Sequence, residues 1–154
     1  MSDQASSDME LKTALTDLET NFSIPIVSGE LDSWITEVQK AWKEASATIH
    51  YTTKHLHPRQ YEQMIKEDPA LLPRIDQLKS EDDVIEQQRE QLGQSVARAA
   101  QHIQRLEPDE AKALKQVQSF VDEGLKFVVR VRKHEIAVQT WFGEAFNRDR
   151  GAVD

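Results

Sequence analysis

The stretch IDQLKSEDDVIEQQREQLGQSVARAAQHIQRL, Ile75 to Leu106, decides the fold. Stepping alternately by three and four picks out Ile75, Leu78, Asp82, Ile85, Arg89, Leu92, Val96, Ala99, Ile103 and Leu106. That spacing places all of them on one face of a helix, and eight of the ten are apolar. Asp82 and Arg89 are the exceptions. A charge in a seam must find a partner or weaken the packing, so these two mark a polar feature inside the fold.

Outward from this helix the chain reads as further amphipathic segments separated by short breaks. Upstream, Met9, Leu11, Leu15, Leu18 and Phe22 give a short first helix that ends before Pro25, after a polar tail at residues 1–8 expected to be disordered. Ser28 is the expected N-cap of a second helix with the seam Leu31, Trp34, Ile35, Val38, Trp42, Ala45, Ile49, Thr52 and Leu56, closed by Pro58. His55 and His57 then fall in its last turn and read as terminal surface residues. A connector carrying Tyr61, Met64 and Ile65 leads to Asp68-Pro69, a capping residue followed by a first-turn proline.

Downstream, Glu107-Pro108-Asp109 is the next break, and a last helix of about 35 residues carries Val117, Phe120, Val128, Val131, Val138 and Trp141. Arg130, Arg132 and Lys133 form a basic cluster beside that stripe, read as a solvated face. The expected fold is all-α: one up-down bundle over residues 9–154, three long helices plus a shorter N-terminal one.

Bulk composition narrows the function classes. There are 154 residues and no cysteine, which excludes disulfides and thiolate metal sites and suits a reducing compartment, so a cytoplasmic location is expected. A net charge of -8 opposes phosphate backbones and anionic lipid, so neither nucleic acid nor membrane is an expected partner.

The two longest helices meet at Glu107, and antiparallel pairing brings together residues equally distant from it. Asp82 lies 25 positions before, His134 lies 27 after and Glu135 lies 28 after. They should share one level. The spacing predicts a buried polar layer of Asp82, His134 and Glu135, with Glu86 one turn along and Arg89 beyond it. Carboxylates and imidazoles at one level of a bundle can hold a metal, so Asp82, Glu86, His134 and Glu135 are the candidate ligands. The same groups can instead close into a network without an ion, with Arg89 paired to Glu86 and Asp82 to His134. No histidine has a carboxylate or second histidine at i±3 or i±4, which favours the network. No nucleophile and base pair or phosphate loop stands out, so no enzymatic activity is expected.

The final segment, His134-Glu135 followed by Phe142, Glu144-Ala145-Phe146-Asn147, Asp149, Gly151 and Asp154, resembles the last helix and tail of bacterial hemerythrin-like proteins. Pro69, Leu71, Leu78 and Glu81, leading into the third helix, resemble the same family. The resemblance implies a four-helix bundle whose histidines and carboxylates hold a non-haem di-iron centre. It also implies a histidine where this chain has Asp82, a ligand at Glu86 and a ligand at His134. The second-helix slots hold His50 and Lys54, Tyr51 and His55, or Thr52 and Leu56, none of them a ligand pair.

The first expectation is therefore a hemerythrin-like bundle without a cofactor, acting as a structural or interaction module through a protein partner or self-association. The alternative is a metal or oxygen sensor that uses non-haem iron on the reduced set Asp82, Glu86, His134 and Glu135.

Overall fold

The structure, a computed structural model, describes residues 2–27, 29–105 and 110–151. It is all-α, with helices α1 (Ser2–Ser23), α2 (Leu31–Tyr51), α3 (His57–Glu67), α4 (Leu72–Gln104) and α5 (Glu110–Gly151). The chain from Leu31 to Glu67 is one rod, because α2 passes into α3 through a π-helical turn at Thr52–Leu56. A single 3₁₀ turn, Pro69–Leu71, leads into α4. α1 packs on α2, α2 on α4, α4 on α5 and α5 on α1, a closed ring of four, while α3 extends the second rod along α5.

Several boundaries differ from the sequence expectation, each for a local reason. Residues 2–8, expected as a tail, form the first turns of α1, making it 22 residues long rather than short. Leu11, Ala14, Leu15, Leu18 and Phe22 repeat at helical spacing and are buried, whereas Met9 points out at 71% exposure. Pro58 does not close the second helix. In the π turn the His57 amide donates to the Thr52 carbonyl, five residues back, so the backbone is already out of α register where the proline enters.

Other expectations hold. Asp68 accepts from the Ala70 amide at 3.1 Å and fixes the entry to α4, as the Asp68-Pro69 signal implied. Ser28 and Leu106 to Asp109 lie outside the described residues. α5 runs 42 residues, and no helix among those described is long and apolar enough to cross a membrane.

The core comes in two parts. The larger gathers Leu11, Phe22, Trp34, Trp42, Ile85, Leu92, Phe120, Phe127 and Val131, with Phe120 meeting Phe22 and Trp34 edge to face. The smaller gathers Tyr61, Met64, Leu71, Ile75, Leu78, Val138 and Ala145. On α4 the boundary falls between Leu78 and Ile85, and on α5 between Val131 and Val138. Asp82 and His134 lie in those two gaps.

Candidate metal centre

The π turn is what brings the second rod into the site. Upstream, Ala45, Ile49, Thr52 and Thr53 face inward. A continuous α-helix would next turn Leu56 to the core, but the extra residue in the turn moves the inward face to His57, Gln60, Tyr61 and Met64. His57 is only 2% exposed. The sequence reading of His57 as a terminal surface residue is therefore corrected, while His55 is exposed as expected.

Four side chains form the centre of the polar layer. Asp82 Oδ1 lies 2.7 Å from His57 Nδ1 and 2.8 Å from His134 Nε2, and Tyr61 donates its hydroxyl to Asp82 Oδ2 at 2.6 Å. The far nitrogen of His57, Nε2, lies 2.7 Å from Glu135 Oε2, and Gln139 donates to Glu135 Oε1 at 2.9 Å. The expected pairing of Asp82 with His134 is present. Glu135 enters the layer only through His57, which the sequence reading had not placed there.

Ionisation follows from these contacts. Burial opposes charge on His57, but hydrogen bonds to Asp82 and Glu135 outweigh it and push the imidazole up to about 9. Both ring nitrogens then donate, because carboxylates can only accept. Burial likewise opposes charge on Asp82, yet hydrogen bonds from His134, His57 and Tyr61 hold its carboxyl below the usual range. Glu135 is lowered too, with the hydrogen bond from His57 overcoming burial. Tyr61 is pushed up by burial and by the adjacent Asp82 charge. From α1, half-buried Asp8 is raised by burial and by the charge of Glu135, so a third carboxylate faces this level.

Glu86 is elsewhere. It accepts from Thr53 at 2.7 Å, His50 at 2.9 Å and Arg89 at 2.8 Å, and Arg89 also reaches Ser46 at 2.9 Å. This is a second, half-exposed network one turn up α4. The expectation that Glu86 shares a site with Asp82 is corrected, because its carboxylate is committed to α2 and to Arg89. The expected i, i+3 pair of Glu86 and Arg89 is formed.

Once His57 gives up its Nδ1 proton, His57, Asp82 and His134, all buried, each offer a ligand atom, and the three atoms lie within 4.8 Å of one another. Two donors bound at ~2.1 Å and at right angles on one ion are about 3.0 Å apart, whereas a tetrahedral angle separates them by about 3.4 Å. The observed 2.7 and 2.8 Å around Asp82 Oδ1 suit the right-angled case with a small opening. Beside the cluster is a cavity of about 10 Å³ bordered by Leu11, Ile49, Ile85, Val131 and the two imidazoles. That is about the space of one water molecule.

No protein family, curated protein or solved structure matches this chain. The di-iron centre implied by the hemerythrin resemblance does not fit the residues present. Two imidazoles reach the layer, whereas His50 belongs to the Glu86 network, His55 is exposed and His102 is near the far end of α4. One ion is the most this donor set suits.

Proposed function

We propose that this bundle is a metal-binding protein that holds one divalent transition-metal ion on His57 Nδ1, His134 Nε2 and Asp82 Oδ1. The observation that carries this reading is the backing of two of the three donors. Tyr61 grips the free oxygen of Asp82, and Glu135, itself held by Gln139, grips the free nitrogen of His57. Metal-ligating imidazoles are commonly oriented by a carboxylate behind them, and ligating carboxylates by a hydrogen bond. Two histidines and one carboxylate with room for a further ligand are the donor set of non-haem ferrous sites, so iron is the favoured metal. In this reading the chain is a hemerythrin-like bundle reduced to a single-ion site. It binds or senses rather than turning over a substrate, since the adjoining cavity admits nothing larger than water.

A second reading has its own observation. Among the described residues no buried side-chain nitrogen or oxygen lacks a partner, so protonated His57 can bridge Asp82 and Glu135 without an ion. The bundle is then a structural or interaction module. Cobalt(II) titration separates the two readings. The metal reading requires saturable d–d absorption at one equivalent, lost in Asp82→Asn. The network reading requires no absorption beyond that of aqueous cobalt.

A further inference from the structure

Arg98, His102 and Arg105 follow one another at i, i+4 and i+7, so one face of α4 near its C-terminal end carries three imidazole or guanidinium groups in a row. They line a groove of about 540 Å³ between α4 and α5, with Gln116 and Ser119 on the opposite wall. Among other arginines, Arg89 is matched by Glu86, Arg130 by Glu81 and Arg132 by Glu19, while Arg74 instead donates to Gln77 and lies over the Trp141 ring. Arg98 has only a long hydrogen bond to the Gln94 carbonyl at 3.4 Å, and no described carboxylate pairs with any of the three.

Two guanidinium groups on one wall of a cleft raise the positive potential there, with Glu123 as the one described carboxylate on its border. In a chain of net charge -8, two arginines on one face, with no ion pair to a carboxylate among the described residues, mark this groove. Its position argues for a separate role. Arg98 is 16 residues beyond Asp82 on α4, or about 24 Å along the axis.

We propose that this groove binds a small phosphorylated molecule, its phosphate held by Arg98, His102 and Arg105. Guanidinium groups meet a phosphate in pairs of parallel hydrogen bonds, and the Gln116 amide and Ser119 hydroxyl can donate from α5. Glu123, which also borders the groove, repels a second anionic group and accepts from a hydroxyl or amine. The ligand is therefore a monophosphate with a neutral or cationic body.

The test is NMR titration of the full chain with inorganic phosphate and with glycerol 3-phosphate, using potassium chloride at matched ionic strength as the control. The His102 ring and the Gln116 and Ser119 amides shift saturably with both phosphates and not with chloride. Replacing the two exposed arginines, Arg98→Gln with Arg105→Gln, weakens binding by about tenfold or more while the spectrum of the polar layer stays unchanged. Shifts equal to those of chloride, or affinity unchanged in the double variant, overturn the proposal. Binding to phosphatidic acid vesicles without a response to glycerol 3-phosphate also overturns it, and assigns the row to a lipid headgroup.

Discussion

His57 on α3 and Asp82 on α4 meet at 2.7 Å, and this contact joins the second rod to the polar layer between two apolar cores. Removing the Asp82 charge should damage the fold as well as the site. In metal-free protein, Asp82→Asn leaves three donors facing a group that accepts weakly, with an expected cost of about 3–5 kcal/mol. Tyr61→Phe removes one hydrogen bond to a charged acceptor and should cost about 1.5–3 kcal/mol. Urea unfolding of both variants checks the order, which reverses if Asp82 is not the hub.

The π turn makes a second prediction. Inserting one alanine after exposed Lys54 adds a residue beyond the extra one already held in Thr52–Leu56 and rotates everything after it by about 100°. His57, Gln60, Tyr61 and Met64 would then leave the core. Loss of cobalt binding together with a large drop in melting temperature is expected, whereas Lys54→Ala should change neither. An insertion variant that still binds cobalt would show that the register set at the π turn does not position the site.

These two cases show which features the sequence disclosed. The seam of α4 was legible because Ile75, Leu78, Ile85, Leu92 and Val96 obey one helical period, and the core is built on it. The level shared by Asp82 and His134 was legible as well, since an antiparallel pair around one turn fixes heights by counting. His57 was hidden by Pro58, which ordinarily ends a helix, and by a register change that period counting does not detect. Tyr61 and Met64 were the available signal. They continue the second rod's inward face after a shift of one position, and treating them as part of that rod would have turned His57 inward. Glu86 was misplaced because a shared helix face does not fix which neighbour a long side chain reaches.

Close packing at Gly124 gives a third prediction. A Cβ built there comes within 2.5 Å of the Phe22 ring. Gly124→Ala gains about 1 kcal/mol of helix propensity, yet must displace a buried aromatic ring at a cost of about 1–3 kcal/mol. Net destabilisation by thermal or urea unfolding is expected. Gly143→Ala, which meets nothing within 4 Å, should stabilise.

The Glu86 network sets an acid limb. Burial would raise this carboxyl, but hydrogen bonds from Arg89, Thr53 and His50 hold it at about 2. The unfolded chain ionises near ~4.3, so the contribution is full above that value and is lost as pH falls toward 2. Unfolding free energy measured from pH 5 down to pH 2 should fall more steeply in the parent than in Glu86→Gln. Parallel curves would show that the network is not coupled to folding.

Metal content measured directly on untagged protein is the most telling experiment. The protein, with His57→Ala, Asp82→Asn and His134→Ala beside it, is analysed for iron, zinc and manganese after expression with iron supplied. One equivalent of metal in the parent, iron foremost, and background levels in each variant is the predicted result. A folded parent that takes up no metal, or metal retained when all three residues are replaced, would contradict the single-ion centre.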